Sequence, residues 1–463
     1  MTATIKKKPK AAKKTDRDYM SFLQAKTHIG TDRGLDPVFM PDNLFPFQQA
    51  LVEWACRKGR AAIFADCGLG KTAMQLVWAE NVARETGKRV LILTPLAVAF
   101  QTVREGEKFG VEVTHRRDGA HKGDRIVVTN YERLHYFNSN DFGGIVCDES
   151  SILKNYAGST REAITEFMAR ANYRLLCTAT AAPNDFMELG TSSEALGYMK
   201  YREMLSSFFV HDGGDTSKWR LKGHASNGPF WTWMCSWARA MRKPSDFGFS
   251  DDGFNLPDLN VRRHLVTNGE PLDGSLFTMP AVGLAEQRLE RRQTINQRCE
   301  LAAELISEHK GASVAWCHLN AEGNMLENLI EDAVQVSGSD KDERKEDVFR
   351  AFEAGEVRVI VSKPTIAGFG LNWQHCNHQT FFPSHSFEQW YQAIRRCWRF
   401  GQKKPVTIDV ISSEGEADVV RNLERKANAA GEMFSNVVNH MNQETQSDHK
   451  QKSTQKIKIP KWL

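Results

Sequence analysis

Ala65-Asp66-Cys67-Gly68-Leu69-Gly70-Lys71-Thr72 follows a short apolar run, Ala61-Ala62-Ile63-Phe64, and opens a segment from Lys71 to Thr86 that Gly87 stops. The apolar run fits a buried strand, and Gly87 suits the end of a helix. A Gly-rich turn between strand and helix is where backbone N–H groups converge on phosphate oxygens. There Lys71 is expected to reach the β- and γ-phosphates of a nucleotide and Thr72 a magnesium ion. The first glycine usual in such a loop is Ala65 here, while Gly68 and Gly70 remain. The bland reading, a turn with an incidental lysine, does not account for the strand-turn-helix setting.

The same rhythm continues outward. Val90-Leu91-Ile92-Leu93, Ile126-Val127-Val128, Ile145-Val146-Cys147 and Arg174-Leu175-Leu176-Cys177 are short apolar runs that do not alternate. Such runs, separated by helices, predict a parallel sheet covered on both faces. The rhythm breaks over 190–262, which is rich in Trp, Gly and charge, and restarts beyond a Gly/Pro/Asp/Asn-rich stretch at 267–282. The second series holds strands at Ser313–Trp316, Val357–Val361 and Val406–Val410, and helices from Gly283 to His309, Asp342 to Ala354 and Ser386 to Trp398. The expected class is α/β with two parallel-sheet lobes and a mainly helical insertion. Expected bounds are a basic disordered tail at 1–18, a first lobe at 36–190, a Trp-rich helical protrusion at 191–266, a linker at 267–282, a second lobe at 283–435 and a polar basic tail at 436–463. No short internal repeat is visible.

Two further constellations carry chemistry. Val146-Cys147-Asp148-Glu149 ends a strand 77 residues after Lys71. Asp148 there can hold magnesium, and Glu149 can orient or deprotonate an attacking water. Gln392-Ala393-Ile394-Arg395-Arg396-Cys397-Trp398-Arg399-Phe400-Gly401-Gln402 sets Arg396 and Arg399 three apart. On a helix they share a face, and two guanidiniums at a γ-phosphate would act as arginine fingers. The bland reading is a surface salt-bridge face.

In chain order these features resemble a superfamily-two helicase of DEAD/DEAH type, specifically the Swi/Snf-like ATPases, over residues 44–412. The resemblance implies two RecA-like lobes with the P-loop NTPase fold, and ATP and Mg2+ as ligands. Phe47-Gln48 resembles the aromatic-Gln pair that reads adenine, although Gln48 alone would pass as a helix-surface residue. Thr94-Pro95 and Thr129-Asn130-Tyr131 resemble nucleic-acid-contacting motifs. Thr178-Ala179-Thr180 with Asn184 resembles the segment coupling hydrolysis to strand contact, and Gln392 joins that set. Taken singly, Thr94, Thr129 and Thr178 read as strand-end caps. Gly368-Phe369-Gly370-Leu371-Asn372 resembles the family's Gly-x-Gly-Leu-Asn motif, with Gly370 near the nucleotide. Departures are Ser150-Ser151 in place of Ala-His, which puts coupling detail in question, and Ala179-Thr180-Ala181 in place of Gly-Thr-Pro.

Bulk properties bound the alternatives. At 463 residues, with 41% hydrophobic and 25% charged residues, the chain suits two to three soluble domains. No apolar run is long enough to span a membrane, and the expected location is the cytosol of a bacterium or phage-infected cell. Nine cysteines without a Cys-x-x-Cys pair fit reduced, structural thiols. His375, Cys376 and His378 read as a loop with incidental polar residues ahead of a zinc site. Net charge is +4, and the six lysines before residue 15 leave about −2 for the rest. That arm is either a solubilising tail or a non-specific phosphate binder. Trp219, Trp231, Trp233 and Trp237 form either a private core or, with Arg239, a grip on nucleic acid. Core is favoured because Trp233 and Trp237 are four apart. Arg242 and Lys243 are the better phosphate contacts. The expected function is an ATP-driven motor on double-stranded DNA, in a compact bacterial or phage-type form. Alternatives are a strand-separating helicase on DNA or RNA and an ATP-gated clamp with little turnover; single-stranded DNA or RNA are the alternative partners.

Overall fold

The computed structural model describes residues 32–182, 185–212, 215–226, 228–266, 290–368 and 370–454. The first lobe is built on a seven-stranded sheet: β1 (Arg60–Ala65), β2 (Arg89–Thr94), β3 (Val113–His115), β4 (Ile126–Asn130), β5 (Phe142–Asp148), β6 (Tyr173–Cys177) and β9 (Ala238–Met241). Their order is β3-β4-β2-β5-β6-β1-β9, with every pairing parallel. β2, β4 and β5 are buried along their whole length, as the non-alternating runs require. An antiparallel hairpin, β7 (Phe209–Asp212) and β8 (Asp215–Leu221), stands beside this sheet.

The second lobe is a six-stranded parallel sheet of order β10-β15-β14-β11-β13-β12. Its strands are β10 (Leu259–Val266), β11 (Ser313–Trp316), β12 (Ala333–Val336), β13 (Val359–Ser362), β14 (His378–Phe381) and β15 (Val406–Ser413). The chain is therefore α/β, with two RecA-like parallel-sheet lobes. All strands of a parallel sheet end on one side, so loops after β1, β2, β4, β5 and β6 gather at one edge, where ligands of such sheets bind.

Three sequence expectations change. The stretch 191–266 holds helices and the β7–β8 hairpin, yet it does not stand apart. Its residues Ala238–Met241 become the seventh strand of the first lobe beside β1, and Leu259–Val266 pairs with β15 in the second. Trp231, Trp233 and Trp237 are buried in the core of the first lobe. The tail expected from 436 is instead part of a helix, Ala417–Thr454. Its Phe434, Val437, Val438 and Met441 recur at helical spacing and are buried, and Met433, Phe434, Val437 and Met441 pack with the tryptophans of the first lobe. The helix expected to Trp398 stops at Ile394. There the bonding tightens, with Arg396 N–H donating to Ala393 O at 3.1 Å. Arg396 and Arg399 therefore sit in turns beyond the helix. The tail 1–18 and the linker 267–282 lie outside the described residues, as does Asn184.

Candidate functional site

The Gly-rich loop leaves β1 and enters the helix Lys71–Thr86. Gly68 and Gly70 have φ of 90° and 78°, a region L side chains rarely adopt. At Gly70 a Cβ would stand 2.2 Å from Gln48 Nε2. Gln48 is buried, donates Nε2–H to Leu69 O at 2.9 Å and accepts from Phe45 N–H at 3.0 Å. Its amide thus ties the helix Pro46–Lys58 to the loop. Phe47 is buried beside it, whereas Phe45 is half exposed. Lys71 Nζ curls back onto Ala65 O at 3.0 Å, where carbonyl oxygen stands in for phosphate oxygen. The ammonium, the two positive-φ glycines and the helix N-terminus fit a polyphosphate.

Asp148, at the end of β5, accepts from Gln75 Nε2 at 2.6 Å. Burial first, then the neighbouring Glu149 charge, push its pKa up to about 6, against the Gln75 hydrogen bond and Lys71. A carboxylate so desolvated beside Lys71 suits a divalent cation, with Thr72 at the start of the same helix. Glu149 has φ 48° and ψ 53°, a left-handed conformation costly for a side chain of this kind and common at working sites. The turn brings its Oε2 within 3.2 Å of Thr178 Oγ1 and 3.4 Å of Gln392 Nε2. Thr178 Oγ1 also accepts from Thr180 N–H at 3.0 Å. Ser151, where the resembled motif has a His, bonds back through Oγ to Glu149 O at 3.5 Å.

The second lobe meets this edge directly. Arg396 Nη1 and Arg399 Nη1 both donate to Leu371 O at 3.1 Å, so the two share a face although the helix has ended. Arg396 also holds Gln392 Oε1 at 2.9 Å. Burial, then Arg396, lower Arg399 to about 10. Gly370 has φ 73° and lies so close to Val98 of the first lobe that a Cβ would reach 2.2 Å. Three residues that no sequence motif singled out complete the contact. Arg395 Nη2 donates to Asp66 Oδ2 at 2.5 Å and to Cys67 O at 3.2 Å, and Tyr391 OH donates to Asp66 Oδ1. The sequence shows Tyr391 and Arg395 four apart and Asp66 as an acid inside the Gly-rich loop, but nothing local pairs the two segments.

The expected nucleic-acid residues divide. Thr94 and Asn130 are register partners at the ends of β2 and β4. Thr94 Oγ1, Thr129 Oγ1 and Asn130 Oδ1 are buried without a partner among the described residues. Pro95 lines an interlobe cavity of about 550 Å³ together with Tyr131, Glu149, Phe349 and Leu371. Arg242 instead donates to Ser435 Oγ at 3.2 Å, and Lys243 pairs with Asp251 at 3.1 Å. Cys376 and His378 are buried, and His375 meets the Phe352 ring edge-to-face. No cluster of three metal-ligating side chains forms among the described residues. All nine cysteines are buried, and none is joined in a disulfide. Among the described residues no helix is long and apolar enough to cross a membrane.

Residues 45–189 match the family model of the DEAD/DEAH box helicases. Putative protein p41 of Acyrthosiphon pisum secondary endosymbiont phage 1 is 24% identical, across 81% of this chain and 94% of that protein. The Sulfolobus solfataricus SWI2/SNF2 ATPase core, solved in complex with dsDNA, is 18% identical with a TM-score of 0.42, covering 82% of this chain and 90% of that one. Over residues 45–189, then, the first lobe is similar to the DEAD/DEAH box helicases.

Proposed function

We propose that the chain is an ATP-driven nucleic-acid motor that hydrolyses ATP between its lobes and translocates on double-stranded DNA. One observation carries this: Glu149 of the first lobe touches Gln392 of the second at 3.4 Å. Gln392 in turn holds Arg396. A hydrolytic glutamate wired to an arginine pair on a separate lobe suits a machine in which chemistry and lobe position are one variable.

In this reading Gly68, Gly70 and Lys71 hold the phosphates, and Thr72 with Asp148 holds Mg2+. The cation supplies charge neutralisation at the transferring phosphoryl group. Glu149 orients the attacking water and takes its proton. Arg396 and Arg399 leave Leu371 O and meet the charge that develops in the transition state. Thr178 and Thr180 carry the state of Glu149 toward strand contacts. Thr94 Oγ1, Thr129 Oγ1 and Asn130 Oδ1, buried without a partner among the described residues and next in sequence to the cavity-lining Pro95 and Tyr131, support a nucleic-acid path along that edge.

The test is ATP hydrolysis by the purified chain alone and with duplex DNA, single-stranded DNA or RNA. Stimulation by duplex supports the translocase. Preference for single strands or RNA replaces it with an unwinding helicase. Nucleotide binding without turnover on any polymer replaces it with an ATP-gated clamp.

A further inference from the structure

An acidic side chain inside a phosphate loop is an electrostatic liability, because it stands where a polyanion must bind. Asp66 is such a residue: it lies four positions before Gly70 and is buried. Its Oδ1 takes the Cys67 N–H at 2.6 Å, so it also occupies one of the loop's own donors. The charge facing it comes from the other lobe. Arg395 is buried, reaches Asp66 at 2.5 Å, and is seated against the rings of Trp398 at 4.9 Å and Phe400 at 5.7 Å. Phe400 closes on the loop from the same side, 3.2 Å from where a Gly68 Cβ would stand. Arg395 Nε is buried without a partner among the described residues.

We infer, building on the proposed nucleotide site, that Arg395 is a positioning residue whose charge cancels that of Asp66, so that the loop binds a triphosphate tightly only while the second lobe is docked on it. Arg395 differs in this from Arg396 and Arg399. Those two contact the second lobe's own carbonyl at Leu371, Arg396 reaching the loop only at Cys67 Sγ, 3.7 Å away, whereas Arg395 pairs with the Asp66 carboxylate. With the lobes apart, the loop is left with an uncompensated carboxylate and repels the ligand. Lobe docking thereby becomes part of nucleotide affinity.

The test is equilibrium binding of a fluorescent N-methylanthraniloyl ATP to the full chain and to Arg395→Met, Arg395→Lys, Asp66→Asn and the Asp66→Asn/Arg395→Met double variant. Arg395→Met leaves the loop one charge more negative, and affinity falls roughly tenfold or more at low salt, the gap narrowing as salt rises. Arg395→Lys keeps the charge and lies nearer the parent than Arg395→Met does. Asp66→Asn binds as tightly as the parent or more so, and the double variant returns to within about threefold of the parent. A role in packing alone predicts the opposite order, with Asp66→Asn weakened and the double variant no better than Arg395→Met; that order overturns the inference. Should Arg395→Met not fold, the order of Asp66→Asn, the double variant and the parent decides the matter. A parent that binds no nucleotide removes the proposed function itself. A parent that binds while the double variant fails to recover removes only the charge role.

Discussion

Replacing Gly70 with alanine separates two costs that a phosphate loop combines. The first is backbone: φ at Gly70 is 78°, and a left-handed residue with a Cβ costs about 1–2 kcal/mol. The second is contact. The new Cβ would lie 2.2 Å from Gln48 Nε2 and 3.4 Å from its Cδ. Gln48 has no easy retreat, being buried with both ends of its amide bonded, to Leu69 O and Phe45 N–H. Displacing it strands buried polar groups at about 1–3 kcal/mol. Gly70→Ala therefore costs about 2–5 kcal/mol locally. Gly87 supplies the control: its φ is 62°, and a Cβ there would meet nothing within 4 Å. Gly87→Ala should cost only the backbone share, about 1–2 kcal/mol. Hydrogen exchange of the peptide spanning 66–72 measures the effect, with ATP affinity as the functional readout. Gly70→Ala should speed exchange there and weaken binding, whereas Gly87→Ala should do neither at that loop. Adding Gln48→Ala to Gly70→Ala should remove the contact share. If Gly70→Ala leaves both exchange and affinity at parental values, the tie between the Gln48 amide and the loop is wrong.

Other expectations follow from separate features. Lys71→Ala should abolish ATP binding, while Arg399→Ala should spare binding and lower hydrolysis about 10³-fold; comparing binding with turnover in each variant checks both. In the second lobe Asp409 is buried and receives Arg262 at 2.7 and 2.6 Å, His378 at 2.9 Å and His264 at 2.7 Å. Burial alone would raise its pKa, but these hydrogen bonds outweigh burial and hold the carboxyl well below its usual range. The depressed value means its stabilisation is complete above about pH 4 and fades as pH falls toward the folded value. Asp409→Asn should lose about 3 kcal/mol, because Arg262 is half exposed and only part of the network is fully desolvated. Urea unfolding of the second lobe at neutral pH should show that loss, and a parental midpoint would exclude it. Val437→Asp places a charge among Trp231, Trp233 and Trp237 and should free the C-terminal helix to protease; unchanged resistance would count against its docking on the first lobe.

Much of the architecture is legible because parallel strands announce themselves as unalternating apolar runs. Lys71–Thr86, Ser313–Trp316 and Asp342–Ala354 have the bounds their patterns suggest. β9 is not legible: Ala238-Arg239-Ala240-Met241 carries no apolar run, and its place beside β1 is fixed by Trp237 and by the Arg239 guanidinium stacking on Trp54 at 4.6 Å. The C-terminal helix is legible in principle through Phe434, Val437, Val438 and Met441, but a polar, Lys-rich surround masks that stripe. The loop and acidic pair can be found from spacing alone. The junction of Asp66, Tyr391 and Arg395 cannot, because it depends on how two lobes meet, and local patterns do not encode that distance.

The helix Ala417–Thr454 begins at the second lobe and lies against Trp231, Trp233 and Trp237 of the first. At 38 residues it is roughly 57 Å long, enough to act as a strut across the joint. A hinge braced this way does not swing open freely. Any stroke must bend the strut, slide it over the tryptophans or peel it off, and Gly431, whose Cβ would meet nothing within 4 Å, is its most compliant point. If the chain is the motor proposed above, the elastic constant of that brace, as much as the chemistry proposed at Lys71, would set how far the lobes travel per nucleotide consumed.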